Sequence, residues 1–204
     1  MRSATYNEFG KPTEVLSVGD RPIPEPKANE VRVKTILASI HNHDLLTIRG
    51  QYGFKPELPA IGGSEAVGVI DAVGNDVKDL KVGQRIAAAS VQATWAEYFV
   101  ASADMVFPVP DSLDDEMAAQ LVAMPLSALM LLEFFAVERA QWVIHNAASG
   151  AVGKSLPMPA AARGVKTINL VRSSDALAAL APIGVKNHAN TADQARKSQV
   201  KPRI

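Results

Sequence analysis

The chain is 204 residues long and 48% hydrophobic, and its 21 Lys+Arg are matched by 21 Asp+Glu. This length and apolar share suit one or two globular domains with a buried core, while the balanced charge and lack of a basic run argue against nucleic acid or an anionic membrane as a partner. The absence of cysteine excludes disulfides, thiolate zinc sites and a thiol nucleophile, and fits a cytoplasmic protein.

The start, Met1-Arg-Ser-Ala-Thr-Tyr6, has neither an apolar signal core nor an Arg/Ser-rich leader. No apolar run reaches the ~18 residues of a membrane span. A soluble cytoplasmic protein with a small-molecule substrate is the expectation.

Up to about residue 110 the pattern is β-rich. Short β-branched runs, Val31–Thr35, Val67–Val73 and Ala96–Val100, are separated by Pro and Gly, and Gln84–Ala88 resumes the sheet after the turn-forming stretch Asn75–Gly83. Pro22–Pro26 reads as an extended connector. After Pro108-Val-Pro110 the pattern changes: Ser112 can cap a helix whose first turn holds Asp114, Asp115 and Glu116, and a second helix is expected from Leu126 to Glu138. A buried strand, Trp142–Asn146, a glycine turn, an Ala-rich segment to Arg163, a strand over Lys166–Val171 and a helix over Ser174–Ala181 follow. Alternating strand and helix predicts a parallel α/β sheet. The expected domains are therefore 1–110, β-rich, and 111–204, α/β.

The glycine turn, Asn146-Ala-Ala-Ser-Gly-Ala-Val-Gly153, has the small residues that a dinucleotide site needs. Gly150 lets backbone approach a pyrophosphate, Gly153 lets helix and strand pack closely, and free N–H groups face the anion. Ala148 stands at the first glycine's place, and Asn146, Ser149, Ala151 and Val152 complete the candidate cofactor contacts. The competing reading is a small-residue turn that only packs a helix on a sheet. About 20 residues on, where an NAD enzyme places a carboxylate on the ribose, stands Arg172 with Ser173 and Ser174. A guanidinium suits a 2′-phosphate, which points to NADPH, unless Arg172 is only a solvated strand end.

From about Thr5 to His188 the order of motifs resembles the medium-chain dehydrogenase/reductase family, on Val15-Leu16, His41-Asn-His-Asp-Leu45, Gly50-Gln-Tyr52, Leu58–Gly68, Val82-Gly-Gln-Arg85 and the glycine turn. The resemblance implies a GroES-like β-barrel followed by a Rossmann domain. Zinc-dependent relatives would place ligands at His41, Ser64 and near Ala123, and a serine and an alanine cannot complete a three-ligand site, so no metal is expected. Without a Lewis acid, hydride must flow from NADPH to an activated acceptor, as in the quinone oxidoreductases and the 2-enoyl thioester reductases of this family.

Pro59–Gly68, Ile144–Ala148 and Thr167–Arg172 are similar to the enoyl reductases. In that group the tyrosine of a Gly-x-Tyr segment donates the proton, which implies Tyr52 as a catalytic residue; quinone reductases also carry an aromatic residue there, and Tyr52 could instead pack a loop. His41 stands where the enoyl reductases have Asn and is the second catalytic candidate, able to make a similar hydrogen bond. Asp44 reads mainly as a loop or helix-capping acid.

Two departures stand out. Pro157 and Pro159 interrupt the helix after the glycine turn, which must shorten or kink. After Arg172 there is room for one more strand, near Asn187–Asn190, where a full Rossmann sheet has about six. The polar tail Gln194–Ile204 looks disordered, so a C-terminally truncated product is expected. The alternatives are therefore an enoyl thioester reductase, an NADPH:quinone oxidoreductase, or a non-catalytic fragment that folds or pairs with a partner, with a homodimer implied among full-length relatives.

Overall fold

Strand β3 (Glu30–Ala38) shows how the first half is built: Val31 and Val33 alternate into the interior and are fully buried. In this computed structural model residues 1–193 are described; the tail expected to be disordered, 194–204, lies outside the described residues. The chain divides into two units, Met1–Ala123 and Met124 onward.

In the first unit, β3 sits between β5 (Glu65–Val73) and β7 (Tyr98–Ser102) in an antiparallel sheet that continues through β6 (Arg85–Ala89) to β8 (Val106–Pro108). Two irregularities in the β3–β5 register, at Arg32/Val33 and Thr35/Leu37, bend the sheet. Gly68 in β5 is needed because a Cβ there would lie 2.4 Å from the Lys34 carbonyl oxygen of β3. The sheet closes on Ile70, Ile86, Ala88, Phe99 and Val106, where each fully buried large side chain contributes about 1.5–3 kcal/mol.

A second antiparallel sheet has the order β2 (Ser17–Asp20), β1 (Arg2–Tyr6), β4 (Ala60–Ile61). Between β1 and β2 lies the short α1 (Pro12–Val15). Tyr6 of β1 packs on Ala60 and on Ile48, the last residue of α2 (Asn42–Ile48). This small core holds α2 in place, and α2 carries the site residues.

The next helix, α3 (Asp115–Ala118), is one turn long and is capped by Asp114, not by the expected Ser112. Asp114 has the extended backbone of a cap, and its carboxylate accepts the Met117 N–H at 2.7 Å. Ala118 and Ala119 pack on Val67, Ala87 and Val109. That packing carries the first unit to Ala123, beyond the Pro110 boundary suggested by the sequence pattern.

The second unit has the parallel sheet β11-β10-β9, from β9 (Trp142–His145), β10 (Lys166–Val171) and β11 (His188–Asn190). Ala128 and Leu132 of α4 (Ala123–Phe135) pack with Val143, Leu156 and Ala160. This helix stops three residues before the expected Glu138, where Ala136 turns left-handed at φ 48°. The proline effect is visible: α5 (Ala151–Ser155) ends and α6 (Pro157–Ala162) begins around Leu156, which itself keeps helical angles. Pro157 and Pro159 cannot donate to the carbonyls four residues back, although Leu156 still reaches Val152 and Ala160 reaches Leu156. The last helix, α7 (Ser174–Ala178), is capped by the Ser173 hydroxyl and ends before the expected Ala181, since Pro182 has no N–H for the Ala178 carbonyl. Among the described residues no helix is long and apolar enough to cross a membrane.

Candidate active site and nucleotide turn

The first site grows from the N-terminus of α2. His41 precedes the helix in extended conformation, and Asp44, three residues on, accepts the His41 backbone N–H at 2.8 Å, satisfying one of the free donors of a helix start. The capping role expected of Asp44 is thus present, and the other oxygen of its buried carboxylate accepts the Ser64 hydroxyl at 2.6 Å.

The imidazole of His41 turns into the protein. Its Nε2–H donates to Oε2 of Glu65 at 2.6 Å, with Ser39 Oγ 2.8 Å from the same nitrogen. Glu65 is completely buried, and its second oxygen accepts the N–H groups of Val122 at 2.8 Å and Ala123 at 2.9 Å. The hydrogen bond from Glu65 raises the His41 pKa; burial opposes this, and the charges of Glu65 and Asp44 assist. His41 therefore favours the charged imidazolium inside a satisfied ion pair.

His43, two residues on, has a different surrounding. Its Nε2 lies 2.7 Å from Ser64 Oγ, and since that hydroxyl donates to Asp44, the nitrogen is the donor to Ser64. The rings of His41 and His43 stack at 5.0 Å, and those of His43 and Tyr52 at 5.7 Å. A row of three rings runs from the buried Glu65 to an exposed tyrosine.

This row borders a cleft of about 350 Å³. Tyr6, Ile48, Tyr52 and Phe54 give apolar wall, while His43, Asp44, Thr47 and Ser64 give a polar side. Tyr6 is buried, and burial first and the Asp44 charge second push its phenol pKa up. Of the two catalytic candidates, Tyr52 lines the cleft and His41 does not. His43, Asp44 and Ser64 line it instead. Among the described residues no group of three or more His, Cys, Asp or Glu is arranged to hold a metal ion. Ser64 and Ala123 both line the cleft.

The second site lies in the other unit. The turn Asn146–Gly150 follows β9 and opens α5, with Gly150 as its N-cap. Ala148 is fully buried against Val171 and Leu180, so its side chain anchors the turn. A Cβ on Gly153 would lie 2.5 Å from the Ala147 carbonyl oxygen and 2.7 Å from Ala148 Cα; on Gly150 it would lie 3.2 Å from the same oxygen. Among the described residues the N–H groups of Ala151 and Val152 have no backbone acceptor. Asn146 and Gly150 are exposed and Ser149 half-buried, which leaves the turn open to an anion.

Arg172 follows the last residue of β10, beside β9 in the parallel sheet, so it stands on the same strand-end edge as the turn. Its side chain is exposed and makes no ion pair among the described residues. The Ser173 hydroxyl is committed to capping α7 by accepting the Ala176 N–H at 3.2 Å. Gly150, Ala151, Val152 and Arg172 thus fit a phosphorylated dinucleotide.

Residues 27–111 match the alcohol dehydrogenase GroES-like domain model. With that domain, its parallel sheet and its glycine turn, the chain is similar to members of the medium-chain dehydrogenase/reductase family. It is 34% identical to the human mitochondrial enoyl-[acyl-carrier-protein] reductase, over 98% of this chain and 55% of that protein. Among solved structures, it resembles the Escherichia coli quinone oxidoreductase complexed with NADPH (TM-score 0.86, 26% identity, 95% of this chain and 60% of that one). A Pseudomonas syringae quinone oxidoreductase is similar too (TM-score 0.87, 27% identity, 98% and 62%). The chain spans between half and two thirds of the length of these relatives.

Proposed function

We propose that the protein is a zinc-independent, NADPH-dependent oxidoreductase that reduces the double bond of a 2-enoyl thioester. The observation that carries this reading is Tyr52, a phenol on the wall of a cleft that also bears the His43–Ser64–Asp44 chain. NADPH would be held at the N–H groups of Ala151 and Val152, with Gly150 and Gly153 giving room, Asn146 and Ser149 beside the anion, and Arg172 on the 2′-phosphate. When bound, it supplies the hydride. Tyr52 then delivers a proton from its hydroxyl to the α-carbon as the β-carbon is reduced, and recovers the proton from solvent.

The human relative named as an enoyl reductase supports the thioester. The quinone oxidoreductase reading is kept because the stacked, flat faces of His43 and Tyr52 suit a planar acceptor, and the structural neighbours carry that name. Division into catalytic and nucleotide domains, a cytoplasmic location and a homodimer belong to the same proposal.

The test is calorimetry and Trp fluorescence with NADPH and NADH, followed by NADPH oxidation with crotonyl-CoA and with 1,4-naphthoquinone. Preference for NADPH, turnover of crotonyl-CoA, and a loss of about 10²–10⁴ in kcat in Tyr52→Phe are expected. Turnover of only the quinone selects the second reading. No heat and no fluorescence change with either nucleotide removes both and leaves a non-catalytic chain.

A further inference from the structure

The Ser64 hydroxyl gives its proton to Asp44 Oδ1 at 2.6 Å and so receives one from His43 Nε2 at 2.7 Å. These two bonds orient the imidazole: Nε2 must carry a proton, and the ring cannot flip without breaking the chain. The Asp44 carboxylate is fixed in turn by the His41 backbone N–H. Asp44 Oδ1 lies 3.6 Å from His43 Nε2, a counter-charge for the ring when both nitrogens are protonated. His43 is 28% exposed and lines the cleft, and Nδ1 makes no hydrogen bond among the described residues. Its ring face lies against that of Tyr52.

We infer that His43 is a substrate-contacting residue: as a doubly protonated ring, with the Asp44 carboxylate 3.6 Å from Nε2 as its counter-charge, it hydrogen-bonds the carbonyl oxygen of the acceptor through Nδ1–H, with Ser64 and Asp44 as the residues that position it. The inference rests on the reductase reading and assigns the polar work within it. As hydride from NADPH adds to the β-carbon, the electron pair of the double bond moves toward the carbonyl and negative charge collects on its oxygen. The Nδ1–H stabilises that oxygen, and collapse of the enolate takes the Tyr52 proton at the α-carbon. The hydride at the β-carbon and the phenol proton at the α-carbon saturate the double bond, the nucleotide would end as NADP⁺, and the phenolate regains its proton from water. The same contact would serve a quinone oxygen.

His43→Phe keeps an aromatic ring against Tyr52 and removes the donor. Crotonyl-CoA reduction should fall about 10²–10³ in kcat, as when one oxyanion donor is deleted, with KM changed far less. His43→Gln, which retains an N–H, should keep more activity than His43→Phe. Ser64→Ala should lower kcat and Ser64→Thr restore it, a rescue that loss of packing would not give. Kinetics of His43→Phe within twofold of the parent chain overturn the inference. If the parent chain shows no turnover, the reductase reading fails, and ¹⁵N spectra of the histidines decide the contact separately. A His43 Nδ1 resonance shifted by crotonyl-CoA upholds it, and an unshifted one overturns it.

Discussion

His41 and His43 stack ring on ring at 5.0 Å, yet their Nε2 atoms serve different partners, the fully buried Glu65 for His41 and the cleft hydroxyl of Ser64 for His43. The offset of two residues at a helix start separates a group that holds the fold from one that meets solvent.

Glu65 ties β5 to α2 and to the loop at residues 122–123. Glu65→Ala would leave a buried imidazolium and two N–H groups without their acceptor. A loss of about 3–5 kcal/mol is expected, in the range for breaking a buried pair. Urea denaturation measures it, and a change below 1 kcal/mol would show that the pair is dispensable.

The His41 pair makes stability depend on pH. Because Glu65 raises the folded pKa of His41 above its ordinary 6.5, the folded state holds its proton more tightly than the unfolded chain. The stabilisation is fully present below about pH 6.5 and declines as pH rises through the raised value. His41→Gln should flatten this alkaline decline in denaturation curves collected from pH 5 to 9.

Gly153 and Gly150 should not be equally tolerant. A Cβ at 153 would sit 2.5 Å from backbone oxygen, against 3.2 Å at 150. Gly153→Ala should lower the thermal midpoint and weaken NADPH binding by tenfold or more, an order-of-magnitude figure for a displaced turn. Gly150→Ala should be the milder of the two in both measurements.

Arg172 is exposed and unpaired by any acid among the described residues. Arg172→Ala should weaken NADPH binding about tenfold and leave NADH unchanged, as expected from losing one charge-assisted phosphate contact. Equal loss for both nucleotides would place the guanidinium away from the 2′-phosphate.

The two prolines also have a measurable consequence. Leu156 keeps helical angles although it precedes Pro157, a position that disfavours them. Pro157→Ala with Pro159→Ala should restore two ladder bonds and stabilise the chain by about 1–3 kcal/mol, after allowing for the freer unfolded state. Helical ellipticity should rise at the same time.

Local chemistry was legible in the sequence wherever the cause lies within a few residues. Gly150 and Gly153 mark a tight turn because a side chain there meets backbone from the same turn, the prolines break the following helix by removing their own N–H groups, and Arg172 follows the strand by position alone. Helix ends were less legible. Asp114 and Ser112 are both good caps, and the packing of Ala118 and Ala119 on the sheet decides which one starts α3.

The division of labour between His41 and His43 came only from the tertiary structure. Their sequence context is the same short segment, and each could face either way. Glu65 stands 24 residues from His41, and Ser64 stands 21 from His43. Pairing of β5 inside the sheet brings that carboxylate and hydroxyl to the start of α2, one to the buried side and one to the cleft. Spacing named the chemical groups, but which histidine is buried against a carboxylate and which lines the cleft depends on contacts between segments that the chain order keeps apart.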